Sequence, residues 1–553
     1  MRLKDLRPSA ALIATFLVAP ELSSAFYLPG VAPTSYSPGA KVPLFVNRLT
    51  PVGSYDDGQL RSVVSFDYYH PAFHFCRPDP KPEYVSESLG SILFGDRIMT
   101  SPFNLKMGVN ETCTQLCEEK KFDQSSAHFV NRRIQQGFAL NWIRIGSSDQ
   151  KDMHLNNHYD IFIDYHEVSA GQMRVVGVIV QPSSRTMNEN PGDPECGAGG
   201  PKVVLSESGE TAVTYSYSVW WQPSTTAWAT RWDKYLHVFD PKIHWFSLIN
   251  SAVIVVFLVI TVLSILMRTL RKDIQRYNRL DSINLDDLSG TSVAVEDGVQ
   301  EDSGWKLVHG DVFRTPGRPL ILSVFLGNGA QLFVMTGFTI AFALLGFLSP
   351  SNRGSLGTIM ILLYTVLGFI GGYTSARVYK SFGGEQWKLN IALTPTLVPG
   401  IVFSTFFLLN LFLWAKESSG AVPFTTMLVI VAIWFFFSLP LSFAGSWVGF
   451  RQPPIASPVR TNQIPRQIPP STSENYHWHW RAFMTAGASA GYVFANAMIY
   501  WVTKLQLGGL AGSVLYIGYS ALISFLFFIL TGSIGYFACW AFVQKIYGSI
   551  KID

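Results

Sequence analysis

The sequence predicts an integral membrane protein: a secreted-type, β-sandwich N-terminal domain followed by an α-helical transmembrane bundle of about seven helices. Charged residues make up only 14% of the chain, against roughly 25% in soluble domains. The mean hydropathy is +0.22, and after residue 245 the apolar residues form membrane-length blocks separated by basic clusters. A net charge of +4 is too small to indicate a nucleic-acid-binding protein.

Residues 1–25 have the pattern of a signal peptide. A basic start precedes the short apolar stretch Ala10–Ala19, and small residues up to Ala25 offer a cleavage site before Phe26. The apolar stretch is short for a bilayer, so we favour a cleaved peptide over an uncleaved anchor. The chain that follows is then expected to enter the secretory lumen.

Residues 26–244 contain no membrane-length apolar run and are predicted to form a lumenal β-rich domain. Apolar and polar residues alternate in several segments, as in half-buried antiparallel strands; these are Ser62–Tyr69, His158–Val168, Arg174–Val180 and Ala212–Trp221. The domain carries a glycosylation acceptor at Asn110. It also holds four candidate disulfide cysteines, whose three possible pairings the sequence leaves open: Cys76, Cys113, Cys117 and Cys196.

Residues 245–553 are predicted to form the bundle, with a cytosolic loop at 268–319 and a cytosolic tail at 543–553. The predicted helices are 246–267, 322–347, 355–376, 391–414, 422–449, 481–503 and 512–542. Basic residues cluster after the first, third, fifth and seventh helices, whereas the opposite loops carry single basic residues. By the positive-inside rule, the N-terminus is lumenal and the C-terminus cytosolic.

Few segments indicate chemistry. We find no catalytic motif, expect no cofactor, and interpret His70 and His74 as structural rather than metal ligands, since Pro71 would break a helix presenting both. The acidic segment 280–303 fits a flexible linker or a docking site for a basic partner. Gly487 and Gly491 form a Gly-x-x-x-Gly motif, which serves helix packing or recognition of another protein's membrane span.

The last three residues place Lys551 two positions before Asp553, on the predicted cytosolic side. This arrangement presents a cation beside two carboxylates, which a charge-paired pocket could read end-on.

Several motifs together give the chain a resemblance to the nonaspanin family, the transmembrane nine superfamily. They are Phe26–Gly30, Leu93–Ile98, Arg231–Asp233, Gly304–Arg314, Phe347–Pro350, Lys380–Glu385, Pro399–Phe403, Pro458–Pro469, Tyr476–Trp478 and Lys551–Asp553. The resemblance implies a large lumenal β-sandwich, nine helices, residence in Golgi and endosomal membranes, and a role in sorting other membrane proteins. It also implies that Lys551 and Asp553 form a retention signal read by the COPI coat.

The chain departs from the family pattern in two places. Two spans that the family has after Pro470 are absent, so that Ser473 joins directly to Glu474, and the lumenal domain is shortened after Trp142. Losing two spans keeps the C-terminus cytosolic.

The sequence thus favours a Golgi and endosomal sorting factor that is not an enzyme. Its expected partners are the lipid bilayer, the COPI coat and membrane-protein cargo, with no nucleic acid. The alternative is a channel or transporter for a small solute or metal ion. The helices contain almost no charged residues, which disfavours this alternative, but Asn328 and Gln331 could line a path.

Overall fold

The computed structural model describes residues 33–53, 59–141, 143–149, 152–169, 171–186, 200–231, 245–287, 309–344, 353–459, 478–505, 507 and 510–549. One compact unit contains the N-terminal region and the last six membrane-length helices; the other contains the first such helix. Several predicted features lie outside the described residues: the signal peptide, Cys196, residues 288–303 of the acidic segment, the Ser473–Glu474 junction, and Lys551 with Asp553.

The N-terminal region is rich in short strands. They are β1 (Lys41–Val42), β2 (Phe45–Val46), β3 (Leu49–Pro51), β4 (Met99–Thr100), β5 (Leu105–Lys106), β6 (Glu111–Gln115), β7 (Lys120–Phe122), β8 (Phe138–Leu140), β9 (Ile143–Arg144), β10 (Gly146–Asp149), β11 (Asp152–Leu155), β12 (His158–Ser169), β13 (Gln172–Ser183), β14 (Thr211–Val213) and β15 (Ser216–Pro223). Two short helices join them, α1 (Leu89–Leu93) and α2 (Gln124–Gln135).

The largest sheet has four strands in the order β13-β12-β15-β6. β12 pairs antiparallel with β13 but parallel with β15, which differs from the all-antiparallel pairing that the sequence suggested. Tyr159, Ile161 and Ile163 alternate along β12 and are buried together in one core. The predicted period-two pattern therefore marks one buried face of this sheet.

Two local features differ from the sequence prediction. Residues 62–69 form no strand; Phe66 makes a single bridge to Leu49, and the Ser65 backbone bonds instead to Ser418 and Ser419 of the bundle. α2 was not predicted. The Asp123 side chain caps it by accepting from the Ser126 amide at 3.2 Å.

The helical part begins with α3 (Trp245–Asp287), which continues well past the predicted helix end at residue 267. The remaining helices are α4 (His309–Val312), α5 (Pro319–Leu344), α6 (Arg353–Val366), α7 (Gly368–Ser381), α8 (Trp387–Ala415), α9 (Phe424–Ile433), α10 (Leu439–Arg451), α11 (Trp478–Gly487), α12 (Ser489–Thr503) and α13 (Leu510–Tyr547).

Seven helical stretches in the described part of the chain are long and apolar enough to cross a membrane. They match the seven predicted positions, so a sheet-rich region followed by seven membrane-length helices is confirmed. Three of the spans are interrupted: at Leu367 between α6 and α7, at Ala488 between α11 and α12, and at Trp434–Ser438, where a π-helical turn joins α9 to α10.

Close helix packing holds the bundle together where side chains are small. A Cβ atom added to Gly449 of α10 would lie 2.8 Å from the Tyr373 carbonyl oxygen and 2.9 Å from the Ala376 Cβ of α7. Only glycine fits this contact without displacing backbone, as is common where membrane helices approach closely.

The two ends of the bundle differ in what they contact. At one end, the Arg97 guanidinium donates to the Ala421 carbonyl at 2.6 Å, and the Gly90 amide donates to the Thr358 hydroxyl at 3.1 Å. These bonds attach the sheet-rich region. At the other end, the Lys380 ammonium donates to the carbonyls of Phe450 and Gln452 at 2.6 and 2.8 Å. The described ends of the third and fifth spans, with Lys380 and Arg451, thus lie away from the sheet-rich region.

Candidate functional site

The sixth span, α11 and α12, has an inner side packed against α13. A Cβ on Gly487 would lie 2.6 Å from two ring carbons of Phe528, and Ala490 is 4% exposed. The Tyr516 hydroxyl of α13 donates to the Ala497 carbonyl at 3.1 Å. Gly487 therefore serves packing within this chain.

Gly491, the second glycine of the motif, has different surroundings. It is exposed, and a Cβ placed on it would meet no atom within 4 Å. The helix break at Ala488 separates the two glycines, so they do not share one packed face. The structure thus does not bring together the two residues that the motif pairs.

Gly491 belongs to an outward surface of the helix that we call the α12 outer face. Its residues recur at helical spacing, so they lie on one side of α12. It consists of five exposed residues, Gly491, Tyr492, Ala495, Asn496 and Ile499. The Tyr492 side chain is 80% exposed and the Ile499 side chain 61% exposed. Two small residues in this face leave room for another helix backbone, while the larger ones can pack at its sides.

Asn496 is the distinctive residue of the α12 outer face. Its exposed amide lies about 10 Å of helix length from the end at Thr503, and among the described residues it has no hydrogen-bond partner. Hydrocarbon offers no partner either, and an unsatisfied amide in lipid is unfavourable. A polar group on another membrane helix would satisfy it. The sequence analysis missed Asn496; the signal available was a lone amide in an apolar helix.

A second polar site is buried among α5, α7 and α8. The Asn390 amide donates to the hydroxyls of Ser323 and Ser375, both at 3.0 Å, and the Thr394 hydroxyl donates to Ser375 at 2.9 Å. All four residues are at most 3% exposed. Asn390 Oδ1 has no partner among the described residues. This cluster joins three helices with uncharged groups and leaves one acceptor unused.

Asn328 and Gln331, which could line a solute path by the alternative interpretation, donate to backbone carbonyls of the helices. Asn328 donates to the carbonyls of Val324 and Thr394 at 2.9 and 3.0 Å, and Gln331 donates to the Tyr364 carbonyl at 2.7 Å. Both are buried.

The sheet-rich region contains a Ser–His–Asp arrangement that the sequence analysis did not identify. His158 contacts the Ser216 hydroxyl at 2.7 Å through Nδ1 and Asp160 at 3.0 Å through Nε2, and Arg185 donates to Asp160 at 2.6 Å. The parallel register of β12 and β15 sets His158 opposite Ser216. Because Ser216 is 1% and His158 0% exposed, a substrate cannot reach them, and we assign the network to strand pairing.

His70 and His74, the candidate metal ligands of the N-terminal region, make different contacts. His70 stacks on Phe129 with ring centroids 5.4 Å apart, whereas His74 bonds to the Ser126 hydroxyl at 3.1 Å. Burial lowers the pKa of both imidazoles. The described residues contain no group of three or more side chains placed to hold a metal ion.

The remaining predicted sites lie on the sheet-rich region. Asn110 is exposed, and its Oδ1 accepts a hydrogen bond from the Trp221 amide at 2.8 Å. Cys76 and Cys117 form a disulfide with a Cα–Cα distance of 5.7 Å. Cys113 is also disulfide-bonded.

Comparisons with known proteins give one consistent family. The chain matches the model of the endomembrane protein 70 family over residues 65–473 and 472–510. It is 39% identical to transmembrane 9 superfamily member 1 of Saccharomyces cerevisiae, covering 96% of this chain and 97% of that protein. It is 37% identical to transmembrane 9 superfamily member 2 of Homo sapiens, covering 97% and 96% respectively. No solved structure matches.

The comparisons also show that this chain is the shorter one. The alignment with the yeast protein extends over 666 positions, although the chain has 553 residues, so it contains gaps in this chain. The two segments matched by the family model meet at residues 472–473, which is where the sequence analysis placed two missing spans.

Proposed function

This chain belongs to the endomembrane protein 70 family, the transmembrane 9 superfamily, and from that premise we propose that it sorts other membrane proteins in the Golgi and endosomes. The α12 outer face carries the proposal. Its exposed small residues allow close approach of a second helix, and the unpaired Asn496 amide offers that helix a hydrogen bond within the bilayer. Cargo spans with small or polar residues fit these requirements.

A crosslinking experiment tests cargo binding at this face. A photoreactive residue at Tyr492 should capture membrane-protein cargo in cells, whereas one at Phe436, which is 68% exposed on the fifth span, should not. Asn496→Leu and Gly491→Leu should each reduce capture, because they remove the hydrogen bond and the space. Gly337→Leu is the matched control, since Gly337 is also exposed with no atom near its Cβ position. Equal capture at Tyr492 and Phe436 would contradict the proposal.

The proposed orientation has the sheet-rich region in the lumen. The attachment of that region to the 418–421 loop and to α6, with Lys380 and Arg451 at the opposite end, supports this orientation. Because Asn110 can be glycosylated only in the lumen, its glycosylation reports this orientation. Enzymatic deglycosylation should shift the mass of the wild type and leave Asn110→Gln unchanged.

The cytosolic tail is proposed to return the protein to the Golgi through the COPI coat. Lys551 and Asp553 are the residues that would be read. Lys551→Ala with Asp553→Ala should move a tagged protein out of the Golgi, while Lys545→Ala, an exposed lysine outside the motif, should not. An unchanged location of the double variant would refute the retention signal.

Transport of a small solute is the second candidate function, favoured by the unused Asn390 Oδ1 in the buried cluster. Measuring solute flux into vesicles that contain the purified protein distinguishes transport from sorting. Flux that Asn390→Leu abolishes would support transport. If vesicles with the wild-type protein show no more flux than protein-free vesicles, sorting remains the proposed function.

A further inference from the structure

The first span is one continuous helix far longer than a bilayer. α3 contains 43 residues from Trp245 to Asp287, which corresponds to ~64 Å, against a hydrocarbon thickness of ~30 Å. The apolar sequence ends at Met267, and Arg268 is the first of a run of basic residues. The same rigid helix therefore crosses the membrane boundary and extends into water.

Basic residues occupy one side of this helix at the boundary. Arg268, Arg271 and Lys272 are spaced i, i+3 and i+4, which places them together on one helical face, and all three are exposed. In the sequence, Arg276 and Arg279 follow at the same periodicity.

The basic side chains continue into an apolar surface. A shallow groove, here called the basic groove, is lined by Leu263, Ser264, Met267, Arg268, Arg271, Lys272 and Gln275. Leu263 and Met267 are 55% and 38% exposed. One half of the groove is thus apolar on the bilayer side, and the other half is cationic on the aqueous side.

We propose that the basic groove binds an anionic phospholipid. The headgroup phosphate would lie among Arg268, Arg271 and Lys272, and the acyl chain along Leu263 and Met267. Guanidinium groups donate paired hydrogen bonds that match phosphate oxygens, and lysine adds a compact positive charge. Membrane orientation requires only a number of basic residues near a span, whereas this groove places them on one face beside an apolar strip. That arrangement matches the two halves of a lipid.

The experiment measures lipid retained by the full-length protein. Purified protein is incorporated into nanodiscs of phosphatidylcholine mixed with phosphatidylserine or a phosphoinositide, and the bound lipid is determined by mass spectrometry. Wild type should retain the anionic lipid over phosphatidylcholine. Arg268→Gln, Arg271→Gln and Lys272→Gln combined should weaken its affinity about 100-fold, since each cation near the surface contributes roughly a factor of five.

Two control variants separate the groove from general charge and from misfolding. Lys388→Gln, Arg451→Gln and Lys545→Gln combined remove three exposed cations elsewhere and should leave retention unchanged. Arg268→Lys with Arg271→Lys keeps the charge and should retain most of the lipid. Equal loss in the first control, or a loss in the second as large as in the glutamine variant, would overturn the proposal.

The same preparation distinguishes a lipid from a free phosphate. Inorganic phosphate at matched ionic strength should not displace the bound lipid, because it cannot use the apolar half of the groove. Full displacement would show that the groove holds a free anion and would overturn the lipid assignment.

Discussion

The sheet-rich region and the helix bundle each bury a polar network, but only the network of the sheet-rich region contains charged groups. Asp160 and Arg185 form an ion pair whose side chains remain 13% and 17% exposed, so water still solvates them in part. In the bundle, Asn390 and its hydroxyl partners are uncharged and almost fully buried. The two networks differ because their surroundings differ. A charged side chain in hydrocarbon loses its solvation by water, whereas a charged side chain near a water-exposed protein surface retains part of it.

The largest effect is expected from breaking the ion pair of the sheet-rich region. Asp160→Asn should lower the free energy of unfolding by about 3 kcal/mol, because it leaves the Arg185 guanidinium without its carboxylate. Denaturant unfolding of the full chain, with hydrogen exchange in β12 and β15, measures the loss. Glu118→Gln, at an exposed acid, should have no effect. Adding Arg185→Leu to Asp160→Asn should recover part of the loss; full additivity would argue against the pairing.

The bundle should be more sensitive to volume than to charge. Gly449→Leu should destabilise it by about 2 kcal/mol, because the added atoms overlap the backbone of α7. Thermal unfolding in detergent measures the change. The same substitution at the exposed Gly337 provides the control, and an equal drop in both variants would contradict close packing at Gly449.

Two buried asparagines of α8 sharpen the comparison within the bundle. Asn410 uses both ends of its amide: it accepts from the Val422 amide at 2.9 Å and donates to the Val422 carbonyl at 3.1 Å. Asn410→Leu should cost about 1–2 kcal/mol, because it leaves both groups unpaired. Asn390→Leu should cost less, about 0.6 kcal/mol, since Asn390 Oδ1 is already unpaired. The reverse order in unfolding measurements would show that Asn390 binds something additional.

The smallest effect concerns pH. Burial lowers the pKa of His70; the nearby Asp67 and Glu417 oppose this shift, and Arg133 adds to it. In the unfolded chain the pKa is about 6.5. Stability from the neutral imidazole is therefore complete above this value and decreases as pH falls toward the folded pKa.

The test compares unfolding temperatures at neutral and mildly acidic pH. His70→Gln should reduce the acid-induced decrease in Tm relative to wild type, because glutamine does not take up a proton. An identical pH dependence in wild type and His70→Gln would exclude this contribution.

The membrane spans were predictable because their physical requirement is simple. A helix must supply about 20 apolar residues, and every predicted span has an observed counterpart. The interruptions at Leu367 and Trp434–Ser438 were not predicted, although Pro440 is a signal for the second one: it has no N–H to donate to the Phe436 carbonyl, four residues earlier.

The sites were less predictable than the spans. The sequence singled out Gly487 and Gly491 by their spacing, but only the packed structure separates the inward glycine from the outward one. Residues 62–69 read as a strand, yet the Ser65 backbone bonds to a loop more than 350 positions away in the sequence. The local pattern of apolar and polar residues does not show that a backbone group will bond to a residue so distant in the sequence.

The π-helical turn at Trp434–Ser438 is a point at which the fifth span can change its number of residues. The Leu439 amide bonds to the Trp434 carbonyl, five residues earlier, so this turn holds one residue more than a regular α-helical turn. Deleting one residue within Trp434–Ser438 would remove the extra residue of this turn while Gly445 and Gly449 stay in contact with α7. Deleting one residue after Ser438 would instead rotate those glycines by about 100°. A single-residue deletion should therefore be tolerated in this turn and should destabilise the protein when it is made in α10.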